Sequence, residues 1–154
     1  MTRGVSFEIP NEYGRYLMEI LKPINISSFD WYSGGEEAYV ANGSEMGPLF
    51  HGEIFGLGGS ELKRILAQSN QYVIFANLKA FPKGQPVIDV LNYAEFLNSN
   101  CQLVLLVVDS SYVTIYCKEE DVLEKLYLNA INSCYEKVRY ITDENDFRTK
   151  LSVW

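Results

Sequence analysis

The chain has 154 residues, of which 47% are hydrophobic and 21% charged. That length and composition describe one globular domain, residues 1–154, able to fold without disulfide or metal staples, and they exclude a disordered chain. The net charge is −7 at pH 7 and evenly spread, with five basic and nine acidic residues in the first 77 and eight and eleven in the rest. Phosphate backbones would be repelled, so a nucleic-acid partner is not expected.

Glu8 cuts short the first apolar residues, so no secretory signal is read there. The longest strictly apolar run, Leu103–Val108, is far short of a membrane span. Cys101, Cys117 and Cys134 are odd in number and widely spaced, which fits free thiols in a reducing compartment. A soluble cytoplasmic protein with no membrane association is expected.

In chain order, Gly4–Ile9 reads as a strand with Val5, Phe7 and Ile9 on one face. Asn11 is the expected cap of a helix carrying Tyr13, Tyr16, Leu17, Ile20 and Leu21, which Pro23 ends. Phe29–Ser33 and Ala38–Val40 read as a hairpin around Gly34-Gly35. Residues 41–59 hold six glycines and Pro48 and read as a long loop with at most one short strand. Ser60 is the expected cap of a helix over Glu61–Ser69, with Leu62, Ile65 and Leu66 inward. Gln71–Phe81 reads as a long strand and Asn92–Asn98 as a short helix.

The strongest local signal follows. Leu103–Val108 is apolar on both strand faces, Asp109-Ser110-Ser111 is turn chemistry, and Tyr112–Cys117 is a β-branched and aromatic run. A long helix over Glu119–Glu136 is predicted from the stripe Leu123, Leu126, Tyr127, Ala130, Ile131, Cys134 and Val138. Arg139–Ile141 then forms a short strand or turn. Helices among strands without regular alternation predict an α+β fold. The expected architecture is a mainly antiparallel or mixed sheet of about five strands with two to three packed helices, and strand 103–108 central.

Five features carry candidate chemistry, each beside a structural alternative. His51 is the single histidine and shares a strand face with Glu53, a pairing suited to acid–base work near neutral pH. The alternative is a surface loop histidine, and one histidine alone makes a metal site improbable. Cys117 and Cys134 are expected in the core and inert, whereas Cys101 opens a strand and is expected to be accessible. Gly56-Leu57-Gly58-Gly59-Ser60 precedes a helix as phosphate-cradling loops do. However, Glu61 stands where the dinucleotide pattern needs glycine, and Gly59 where a P-loop needs lysine. An entry loop with Ser60 as cap is the simpler reading. Thr142-Asp143-Glu144-Asn145-Asp146 packs three acids into five residues, as hard-cation sites do, or forms a turn or helix start with Thr142 as cap.

The 21 aromatic residues are the fifth feature, Trp31-Tyr32 and Trp154 among them. Tyr112 and Tyr116 share the strand face opposite Val113 and Ile115. Uncovered, that face presents tyrosines for recognition; covered by a helix, the rings are core.

The opening segment Arg3–Gly14, the closing segment Tyr140–Trp154, and Ile115-Tyr116-Cys117-Lys118 resemble domain of unknown function 2691. Its members are small uncharacterised proteins of spore-forming Gram-positive bacteria. The resemblance covers essentially the whole chain, implies a bacterial cytoplasmic protein, and supplies no catalytic residue.

Two functions compete. The first is a non-enzymatic domain that binds another protein or itself, with an immunity-type role as one version, Tyr112 and Tyr116 forming its surface, and no cofactor. The alternative is a small-molecule binder or enzyme using the 51–60 loop, with His51, Glu53 and Ser60 lining it under Trp31.

Overall fold

Leu103–Val108 and Tyr112–Cys117 form the central hairpin, and the rest of the sheet grows outward from it. Asp109 and Ser110 take left-handed backbone angles (φ 51° and 67°), which match the twist of the two strands they join. The computed structural model describes residues 1–153. Among them one antiparallel sheet contains nine strands, accompanied by four α-helices. The strands are β1 (Thr2–Glu8), β2 (Phe29–Ser33), β3 (Glu37–Asn42), β4 (Glu45–Pro48), β5 (Ile54–Gly58), β6 (Gln71–Pro82), β7 (Leu103–Val108), β8 (Tyr112–Cys117) and β9 (Glu136–Thr142). The helices are α1 (Tyr16–Ile20), α2 (Gly59–Leu66), α3 (Tyr93–Asn98) and α4 (Glu120–Asn132).

The main path of the sheet is β4-β3-β6-β7-β8-β1-β9, with β2 and β5 branching from β6. β7 is central, as its doubly apolar sequence requires: Leu103, Leu105 and Val107 enter one core cluster, Val104 and Leu106 the other. On the first face, α1, α2 and α4 cover Val5, Phe7, Leu105 and Ile115. On the second, α3 and two irregular segments, 83–92 and 147–153, cover Phe81, Val104, Leu106 and Tyr116.

The architecture corrects the expectation of about five strands with two to three helices, because the protein is mostly sheet. Residues 41–59 look like a loop because glycine breaks the strand pattern, yet they hold β4 and β5. Gly43 (φ 65°) makes the tight turn between β3 and β4, and Gly56 (φ 92°) is the extra residue of a bulge where β5 pairs with β2. The Gly34-Gly35 hairpin is also corrected. β2 and β3 do not pair with each other. Both run antiparallel to β6 along the same edge, β2 against residues 78–82 and β3 against 71–75. Gly34-Gly35-Glu36 is therefore a break in one long edge run.

The last helix is shorter than its apolar stripe suggests. It ends at Asn132, and Cys134 turns left-handed (φ 61°), which ends the helix and frees residues 136–142 to pair with β1. Cys134 is consequently exposed, not on the helix stripe. Two caps also differ. Asn11 accepts from the Tyr72 hydroxyl at 2.5 Å, and α1 starts later, at Tyr16. Gly58 occupies the cap position of α2, with exposed Ser60 inside its first turn. Gly59 is required by packing, since a Cβ there would lie 2.2 Å from the Ile26 carbonyl oxygen.

The tyrosine face divides. Tyr116 is fully buried among Tyr93, Phe96 and Val104, whereas Tyr112 is 55% exposed. Replacing both is therefore not neutral. In urea unfolding, Tyr116→Ala is expected to cost about 3–5 kcal/mol and Tyr112→Ala about 0.5 kcal/mol or less. Equal costs would mean that the second face is not covered as described.

Candidate functional site

The densest cluster of polar chemistry lies on the second face, where β2 and β3 part company on β6. Lys79 and Tyr32 are direct neighbours across the β6–β2 pair. The Lys79 side chain is fully buried, and its ammonium donates to Asp89 at 2.6 Å and to the Leu151 carbonyl at 2.8 Å. A buried charge without such partners would cost several kcal/mol, so Lys79 fixes both irregular segments onto the sheet. Its Nζ also lies 5.3 Å from the centroid of the Tyr32 ring.

The Tyr32 hydroxyl donates to Glu53 at 2.5 Å. Burial pushes the Tyr32 phenol well above its usual range, and the Glu53 and Asp89 carboxylates add to that shift. Gly34 lies against this hydroxyl; a Cβ there would come within 2.3 Å of it. Glu36 sits in the break itself and accepts from the Ser33 hydroxyl. Its carboxyl is pushed up to about 7, chiefly by burial and secondarily by the Glu53 charge, against the opposing pull of Ser33, its own backbone and Lys79. Next along β6, Asn77 is buried and its Oδ1 has no hydrogen-bond partner. A lysine inside an otherwise apolar strand is the signal in the sequence that points to this cluster. Glu36, Asp89 and Asn77 carry no such local mark.

The residues expected from sequence are dispersed. Trp31 is fully buried on the first face, its indole N–H donating to the Ile26 carbonyl at 3.1 Å. Glu53 reaches the second face through Tyr32. His51 is exposed, and among the described residues no hydrogen bond or ion pair joins it to Glu53. Ser60 is exposed on α2. Trp31, His51, Glu53 and Ser60 therefore do not converge on one pocket. Trp154 lies outside the described residues.

The cysteines and the acidic run also settle into structural places. Cys101 is fully buried, correcting the expectation of an accessible thiol, and burial pushes it up to about 12. Cys117 is buried as expected and is pushed up to about 11. The 142–146 run is a turn with no helix after it. Asn145, not Thr142, closes that turn by accepting from the Thr142 amide at 2.7 Å. Asp143 and Asp146 both bind Arg3, at 2.8 and 3.2 Å, and Asp146 also accepts from the Tyr116 hydroxyl at 3.0 Å. Arg3 stacks over Tyr93 at 4.1 Å, so this run staples β1, α3 and the end of β9 together.

The other half of the second face is open. Ser6, Glu8, Tyr112, Thr114, Lys137 and Arg139 line a shallow depression of about 390 Å³. Lys137 pairs with Glu8 at 3.2 Å. Arg139 donates to the Ser6 hydroxyl at 3.1 Å, and no carboxylate pairs with it among the described residues.

A nine-stranded antiparallel sheet with an apolar layer on one face and a half-covered second face defines the class of molecule. Residues 2–152 match the family described as "Protein of unknown function (DUF2691)", and the chain belongs to that family, as its terminal segments indicated. It is 48% identical over 155 residues to the uncharacterised protein YncE of Bacillus subtilis (strain 168), covering 99% of this chain and 100% of that relative. No solved structure matches. No helix among the described residues is long and apolar enough to cross a membrane. No group of three or more His, Cys, Asp or Glu side chains among them is placed to hold a metal ion.

The Glu36 carboxyl makes stability depend on pH. Its folded pKa, about 7, is above the ordinary value of 4.5, so its contribution is full below pH 4.5 and is lost as pH rises through 7. Glu36→Gln removes that loss. The variant is expected to gain about 2 kcal/mol on the wild type at pH 8 relative to pH 4.5, measured by urea unfolding at both pH values. Parallel pH profiles for the two proteins would show that Glu36 titrates normally.

Proposed function

We propose that this is a non-catalytic protein-binding domain of the bacterial cytoplasm, acting through the open half of the second sheet face. The observation that carries the reading is the presence of exposed Tyr112 and of Arg139, a cation without a carboxylate partner among the described residues, in one depression at the edge strand β9. Tyrosine and arginine are the side chains most enriched where binding energy concentrates, because each offers large contact area together with directional donors. An immunity-type role would oppose an acidic surface to a basic partner. Arg139 instead favours a partner segment that presents carboxylates or backbone carbonyls.

The competing use of the 51–60 loop for a small molecule draws no support from the positions of Trp31, His51, Glu53 and Ser60, which share no pocket. A pull-down from native lysate with the tagged wild type, the double variant Tyr112→Ala/Arg139→Ala, and the control Phe147→Ala tests the reading. A stoichiometric partner held by the wild type and the control but lost by the double variant is expected. A partner retained equally by all three would place binding elsewhere. A bound metabolite without a protein partner would overturn the reading.

A further inference from the structure

The apolar layer on the first face has a gap at one end. There β6 finishes, β7 begins and β8 finishes, while α4 starts only at Glu120 and the chain entering β2 passes alongside. The gap is a half-open pocket of about 370 Å³, within the range of small-molecule sites. Buried Ala80, Leu103 and Cys117 form its floor, and half-buried Val122 forms a wall. The side chains of Ser28 and Glu119 stand exposed at the rim and make no hydrogen bond within the described residues.

Glu119 is the one charged residue among those that line this pocket. No lysine or arginine lines it, and Glu119 is followed by Glu120 and Asp121 in the first turn of α4. With the Glu119 carboxylate at the rim and no basic side chain in the lining, the pocket favours a cationic ligand over an anionic one. The Cys117 thiol, raised by burial, stays neutral at physiological pH and contributes only apolar floor. We infer that this pocket binds a compact amine with an apolar body, the body on the Ala80–Leu103–Cys117 floor and the ammonium at Glu119. The site lies on the opposite side of the sheet from the Tyr112–Arg139 surface and stands independently of the protein-binding reading.

Three probes of similar apolar body separate the contributions: phenethylamine, phenethyl alcohol and phenylpropionate. Each is titrated into the full chain and followed by amide chemical shifts. The amine is expected to shift residues 23–29, 80–82, 102–103 and 117–122, and to bind about tenfold more tightly than the carboxylate. Glu119→Gln should remove the preference for the amine while leaving the alcohol unchanged. Ser28→Trp and, separately, Val122→Trp should block all three probes, with circular dichroism confirming that each variant is folded. Shifts elsewhere, equal binding of amine and carboxylate, or no shifts at millimolar probe would each overturn the proposal.

Discussion

A lysine ammonium shut away from water on β6 organises the second face of this protein. Lys79 is tolerable there only because Asp89 and the Leu151 carbonyl are both in place. Each comes from a segment without regular structure, and neither segment has a strand ladder to hold it. Removing one partner of such a pair costs about 3–5 kcal/mol, mostly because the remaining charge is stranded. The two segments are thereby fixed over the sheet, where they bury Val90, Leu151 and Val153 against Val104 and Leu106. The covered half is thus the half reached by Lys79 and by the Arg3–Asp146 staple. Beyond it, where Thr114 and Ser6 replace large apolar side chains, no buried charge anchors a covering segment, and the face remains open.

The same strand explains the polar break beside Lys79. β6 is twelve residues long, and its outer edge is shared by two shorter strands in succession. The joint falls at Gly34-Gly35-Glu36, where the close approach of the Tyr32 hydroxyl leaves no room for a Cβ on residue 34. The break turns Glu36 into a partly buried position and lets Glu53, just before β5, reach Tyr32. Tyr32, Glu36, Glu53, Lys79 and Asp89 are gathered by topology, and the upward shifts of Tyr32 and Glu36 follow chiefly from burial. Because Lys79 and Tyr32 are bonded to other parts of the chain, these two side chains read as a fastening.

Much of the local structure was legible in the sequence. The β7–β8 hairpin, the first strand and the Asn92-capped helix α3 each follow from periodicity and turn or cap chemistry within about ten residues. What escaped is non-local. β4 and β5 carry glycines that disguise them, and they exist because β2 and β3 are there to be paired. β9 continues the apolar spacing of α4, so the boundary at Cys134 depends on pairing with β1. The alternation placing Tyr112 and Tyr116 on one face was readable, but which of them lies under α3 depends on where Lys79 pins the chain. The site residues follow the same rule: a lone histidine and a glycine-rich loop drew notice by composition, while Glu36, Lys79 and Asp89 meet only in the folded chain.

Native-state hydrogen exchange of Lys79→Met against the wild type tests the central claim most directly. If Lys79 fastens the second face, the Leu151 amide, which bonds to the Leu91 carbonyl, loses its protection, while the amides joining β1 to β8 keep theirs. Unchanged protection at Leu151 would contradict the account, since the covering segment would then be held without Lys79, by apolar contact and the Arg3–Asp146 and Tyr116–Asp146 bonds.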